Sequence, residues 1–356
     1  MKPIRECAEG NSEAVSPSTG VSELRSTVHQ LVSGAVTAPE AGGQETYKQR
    51  AKCAFIQARS AMDEVPENER LLVEAETLPA LETFFLEQEQ LQPGDNRFSF
   101  QEASNSIIRD TKNPRFHQAL MAHFMDKEAV ARTGHHPELL KLAIQAKEFN
   151  AVQIRRTGEP MLKQDDTRGE GLEMMSQART TLGAVLHEWE LLQDLKSQAR
   201  TLYELGYIAT ITDDFRSAAD IQEKSANVAD QVGEKVGAGI ARIERCIALL
   251  RGKLETPQEV VSQLEQLLER MRQLDTETSD PRAKEWIANG LVHLSETREA
   301  AGDLEGALQC VKDALVPELL KSNIGSKLGD YAKKRIPELE EKLGISSGER
   351  WVGLSE

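Results

Sequence analysis

The stretch Leu202-Tyr203-Glu204-Leu205-Gly206-Tyr207-Ile208-Ala209-Thr210-Ile211-Thr212-Asp213-Asp214-Phe215-Arg216-Ser217-Ala218 decides the fold. Its first half is an amphipathic helix, with Leu202 and Leu205 at the spacing of one face. Asp213-Asp214 then makes a tight turn, followed by one large apolar residue, Phe215, and a small one three positions on, Ala218. The small residue lets two antiparallel helices approach closely, and the large one fills the space beside the turn. A second segment repeats the pattern. Leu291-Val292-His293-Leu294 leads to Ala301-Gly302-Asp303-Leu304-Glu305-Gly306-Ala307-Leu308, with Leu304 as the large residue and Ala307 as the small one. Both segments read as stacked helical hairpins.

These residues resemble the tetratricopeptide repeat, whose consensus carries Leu, a small residue, a Gly-Asp or aromatic turn and Ala at these spacings. Leu202, Leu205, Gly206, Phe215 and Ala218 match in the first segment, with Ser225 in place of the usual late alanine and Ala209 where an aromatic is common. In the second, Leu291, Leu294, Gly302, Leu304, Ala307 and Ala314 match, Ser295 takes the small early position and Pro317 follows the second helix. Phe215 and Leu304 are 89 positions apart, room for two units of about 44 residues against roughly 34 in the consensus. The intervening unit covers residues 235–271, and a fainter one precedes it from 137 to about 183, its turn expected at 166–171. The resemblance implies a right-handed α-solenoid of antiparallel helix pairs.

Outward from this region the reading stays helical. Thr256-Pro257-Gln258-Glu259 is a capping box with proline at the first helical position, and Ser99-Phe100-Gln101-Glu102 is a second box. Asp280-Pro281 and His136-Pro137 start further helices, while Thr77-Leu78-Pro79 and Gln92-Pro93-Gly94 break them. Alternation of the strand type is essentially absent, so the fold class is all-α. Five segments follow: 1–45, mostly disordered; 46–136, a helical N-terminal region without clear repeats; 137–317, the repeats; 318–344, a C-terminal capping helix with Pro337 inside it; and 345–356, a flexible tail carrying Trp351. Segment 1–45 has too little apolar surface to offset its ordering entropy. Val21, Leu24, Val28, Leu31 and Val32 within it fall at helical spacing, as in a transient helix, a docking peptide or part of an export signal.

Composition narrows the function. Lys plus Arg number 43 against 58 Asp plus Glu in 356 residues, a formal charge of −15. Such a chain is not expected to bind nucleic-acid backbone, which needs clustered cations, nor to adhere to anionic membranes. No apolar run approaches the roughly 20 residues of a transmembrane helix. Cys7, Cys53, Cys246 and Cys310 are scattered and form no C-x-x-C pair, which suits a reducing, cytoplasmic setting. No phosphate-cradling loop or nucleophile elbow is present; the 233–239 glycines lack the Lys-Ser/Thr of a P-loop.

The family resemblance implies a peptide-binding groove on the first helix of each unit. Carried onto this chain, the groove positions are Arg200, Tyr203, Tyr207 and Thr210, then Arg242 and Cys246, then Asn289, Val292, Glu296 and Glu299. Tyr203 and Tyr207, four apart, share a face and would form an aromatic platform, or would pack between helices. Glu296 and Glu299 favour cationic or neutral ligands. The expected function is a non-enzymatic scaffold or adaptor that binds a peptide or helix of another protein, with no cofactor; a peptide-sensing regulator is a variant. The alternative is an enzyme or metal protein using His117, His123, Asp126, His135 and His136. Against it, His117 and His123 point to different faces of one helix, and His135-His136 straddles a turn. Trp189 and Trp286 are expected to pack between helices.

Overall fold

The computed structural model describes Glu82 and residues 121–135, 137–278, 280–315 and 323–345. The expectations for 1–45, 77–79, 92–94, 99–102, His117, His136, Pro317 and Trp351 lie outside these residues. Among those described there is no strand. After a helical stretch at 121–126 come α1 (Glu128–Thr133), α2 (Pro137–Met161), α3 (Arg168–Leu191), α4 (Leu195–Ile211), α5 (Phe215–Gln231) and α6 (Lys235–Arg251). They continue with α7 (Pro257–Thr278), α8 (Pro281–Ala300), α9 (Leu304–Ala314) and α10 (Asn323–Lys342). The chain divides into two compact units between Asn150 and Ala151, within α2.

In the second unit the helix ends follow from local chemistry. After α3, α4, α5, α6 and α8 one residue takes a left-handed conformation: Gln193, Asp213, Gly233, Lys253 and Gly302. At each, its N–H bonds the carbonyl three residues back and the next N–H reaches five back, as Asp214 does to Ala209 at 2.9 Å and Asp303 to Arg298 at 2.8 Å. These are Schellman closures, which satisfy the orphan carbonyls of the helix end. After Gln193, Asp213 and Gly302 the following aspartate then caps the next helix. Asp194 accepts from the Ser197 N–H at 2.9 Å, and Asp303 from the Gly306 N–H at 2.9 Å. The Thr256 box closes reciprocally, with the Thr256 N–H donating to Glu259 at 2.9 Å and the Glu259 N–H donating to Thr256 Oγ1 at 3.3 Å. Pro257 and Pro281 open their helices as the sequence predicts.

From α3 to α6 this closure recurs every 20 residues, at 193, 213, 233 and 253. Helices α4, α5 and α6 have 17 residues each. The starts of α4, α6 and α8 at Leu195, Lys235 and Pro281 are 40 and 46 residues apart, because α7 is longer. Before them, the α2–α3 turn falls at 162–167, so Gly169 and Gly171 lie inside α3 rather than in the turn expected at 166–171.

Each helix from α3 to α10 packs on the next, and α4 also touches α6, and α6 touches α8. The α4–α5 register is antiparallel: Gln222 Nε2 donates to the Tyr203 carbonyl at 3.2 Å, and three residues further along α5 Ser225 Oγ donates to Ala199, four residues earlier on α4, at 2.8 Å. Ser225, the departure from alanine, is thereby an interhelix hydrogen bond. Gly206 sets the spacing, since a Cβ there would lie 2.6 Å from Gln222. Gly290 does the same where a Cβ would meet Leu268. Phe215 lies beside Gly252 at the end of α6, and Leu304 joins the apolar cluster that holds Leu343 at the end of α10. The core, including Ile243, Leu264, Leu268, Met271 and Leu291, runs between the helices. Each such side chain contributes about 1.5–3 kcal/mol of burial. Trp189 is fully buried in α3, while Trp286 is half-buried on α8.

Helix α10 packs on α9 through Ala332, Ile336 and Leu339 against Ala307, Leu308 and Val311. It runs through Pro337. Arg335 and Lys342 both pair with Glu299 on α8, which ties α10 across to α8.

Candidate functional site

Alternate helices of the second unit present one face each to a cavity of about 790 Å³. Helix α4 supplies Tyr203, Tyr207 and Thr210, α6 supplies Glu244, Ile247 and Arg251, and α8 supplies Trp286, Asn289 and His293. On α6 and α8 the spacing is three then four, the signature of a single helix face. The last turns of α2 add Arg155 and Glu159, and α10 adds Leu328 and Tyr331. The contacts of α4 with α6 and of α6 with α8 bring these faces side by side.

A polar network holds one wall. Arg155, 8% exposed, pairs with Glu159 at 3.0 Å and with Glu204 at 3.2 Å. Its guanidinium lies 4.7 Å from the centre of the Tyr207 ring, within cation–π range. The Tyr207 hydroxyl donates to Glu159 at 2.9 Å. Burial, then the Glu159 charge, pushes the Tyr207 phenol far above its usual range, so it remains a neutral donor. Tyr203 meets Trp286 edge to face at 6.4 Å. At the α8–α10 end Glu296 accepts from Tyr331 at 3.4 Å and contacts His293 Nδ1 at 3.2 Å.

Glu244 is the outlier. It is 5% exposed and, among the described residues, has no hydrogen bond or ion pair. Burial lifts its carboxyl above the usual carboxylate range; His293 and Arg251 pull it back, while Glu159 and Glu204 push it further.

The positions carried over from the family divide in two. Tyr203, Tyr207, Thr210, Asn289 and Val292 line the cavity. Arg200, half-buried on α4, does not. Arg242 points elsewhere on α6 and pairs with Asp230 at 2.5 Å. Cys246 is buried in the core, where burial pushes its thiol up to about 12, out of reach of a neutral-pH thiolate. Glu296 and Glu299 lie further along α8 and face α10. The buried guanidinium of Arg155 and the acid at Glu244 are cavity residues that sequence reading missed. Arg155 and Glu159 form an ordinary i,i+4 pair, and Glu244 is one acid among many, so no local signal marked them.

Of the histidines, His123 is engaged by Glu82 at 2.6 Å, and His135 lies in the left-handed turn after α1, its Nδ1 3.3 Å from the Thr133 carbonyl. Asp126 makes no third member of a site: among the described residues no three His, Cys, Asp or Glu converge as metal ligands. No described helix is long and apolar enough to cross a membrane.

No protein-family model matches this chain, and a search of curated proteins returned no relative. What the described residues define is therefore a class: an all-helical protein whose helices pack in chain order, with a cavity walled by alternate helices.

Proposed function

We propose that this protein is a non-enzymatic interaction scaffold, a tetratricopeptide-like right-handed solenoid that binds a peptide or helix of a partner protein in the trough on α4, α6 and α8. The observation that carries this reading is the cavity of about 790 Å³ walled by alternate helices. It holds the mixture a peptide needs: half-buried aromatic anchors at Tyr203, Tyr207 and Trp286, apolar floor at Ile247 and Val292, and a hydrogen-bonding amide at Asn289. Tyr and Trp serve such sites because one end of the ring is apolar and the other donates. The neutral phenols and the high Cys246 thiol support binding rather than nucleophilic chemistry. Buried, unpaired Cys246 and Cys310 agree with a reducing, cytoplasmic setting.

The test is affinity capture from the native cell with mass spectrometry, comparing wild type, Tyr203→Ala with Tyr207→Ala, and Asn289→Lys. The lysine variant fills the trough without emptying the core, and circular dichroism checks that each variant is folded. Partners held in the trough should be lost from both folded variants. Recovery of every partner at wild-type levels from both would reject the assignment.

A further inference from the structure

One buried acid in the cavity, Glu244, points to its guest. Four carboxylates, Glu159, Glu204, Glu244 and Glu285, line it from α2, α4, α6 and α8 alongside Arg155, Arg156, Arg251 and His293, and the buried Arg155 guanidinium pairs with Glu159 and Glu204. Glu244, 5% exposed and lining the cavity, makes no hydrogen bond or ion pair among the described residues; His293 and Arg251 act on it only through space. A carboxylate taken out of water without a paired counter-charge is costly, and it either takes up a proton or is completed by a cation from outside the chain. Arg156 and Arg251 also line it but are exposed, so solvent screens their charges. Around the acid stand the rings of Tyr203, Tyr207 and Trp286. Arg155 already shows how this wall takes a guanidinium, stacked over Tyr207 with its fork shared between two carboxylates.

We propose that the cavity is a receptor for an arginine side chain of the partner peptide, its guanidinium paired with Glu244 and flanked by Trp286 and the tyrosines. This rests on the trough being the docking site. A guanidinium fits better than an ammonium because it is planar, stacks on rings and forks onto a carboxylate. The arrangement is opposite in sign to a carboxylate-capturing groove: the negative end is on the protein.

The experiment titrates the full chain with N-acetyl-arginine-amide and, separately, with N-acetyl-citrulline-amide, which has nearly the same shape without the charge. Binding is followed at the indole N–H of Trp286 by NMR, assigned with Trp286→Phe. The arginine probe should shift that signal saturably, and citrulline should bind at least about tenfold more weakly, the loss expected for one charge-assisted pair. Glu244→Gln should lose the same factor, while Arg242→Gln, on α6 but outside the cavity, should bind as wild type. Equal binding of the two probes, unchanged affinity in Glu244→Gln, or no shift of Trp286 with arginine would each overturn the proposal. The two readings fail separately. Partners lost from the trough variants with no preference for arginine over citrulline remove the cationic guest and leave the trough. Preference for arginine with every partner retained by those variants does the reverse.

Discussion

Glu244 is where a single side chain has the largest consequence. Because burial raises its folded-state pKa, the folded protein holds the proton more tightly than the unfolded chain does. Stability is therefore highest below the ordinary carboxylate value of 4.5, falls as pH rises from there toward the raised folded value, and is flat above it. Glu244→Gln keeps the shape and removes the charge. It is expected to raise the melting temperature at pH 7 by a few degrees, corresponding to about 1 kcal/mol, with the gain vanishing near pH 4. Differential scanning calorimetry across that range checks the sign; a gain that grows toward acid would contradict it. A residue that weakens the free protein and strengthens a complex is the usual signature of a binding site. Tyr207 is the contrary case, its donor satisfied by Glu159 and its ring covered by Arg155.

Helices here are delimited by the same closure used repeatedly. The left-handed residue is glycine at 233 and 302 but Gln193, Asp213 and Lys253 elsewhere. A β-carbon in that conformation costs roughly 1 kcal/mol. A Cβ at Gly302 would meet nothing within 4 Å, so Gly302→Ala isolates the backbone effect from any clash. It should destabilise by about 1 kcal/mol, and Lys253→Gly should stabilise by about 0.5 kcal/mol, less because glycine also loosens the unfolded chain. Chemical denaturation with unchanged slope would read both directly. Equal and negligible effects at both sites would mean that the turns relax, and that the closure is not what holds the helix ends.

For the second unit as a whole, contact is short-ranged. Substantial packing joins each helix from α3 to α10 to its chain neighbours and, for α4–α6 and α6–α8, to the next but one. An array connected in this way frays from its ends rather than unfolding at one stroke. Leu339, fully buried between α10 and α9, is the place to provoke it. Leu339→Ala should cost about 2–4 kcal/mol locally. Hydrogen exchange should speed up in α9 and α10 while amides of α4 and α5 keep their protection. A uniform loss of protection from α4 to α10 would instead show one cooperative body.

The sequence alone determined the helical class, most helix starts and the hairpin logic, because capping boxes, N1 prolines, Asp-led turns and small residues act within a few positions. Asp214, Thr256, Pro257, Pro281 and the Phe215/Ala218 spacing could all be read locally, and so could the shared face of Tyr203 and Tyr207. Tertiary structure alone decided which face of each helix meets the cavity. Periodicity says which residues lie together on a helix, but not what covers them. Arg242 and Glu244 are two residues apart, about 200° around the axis. Packing of α6 between α4 and α8 turned Glu244 inward and left Arg242 to Asp230. The meeting of Arg155, Glu204 and Glu244 joins positions as far apart as 89 residues, and only the stacking of α2, α4 and α6 brings their charges within reach of one another.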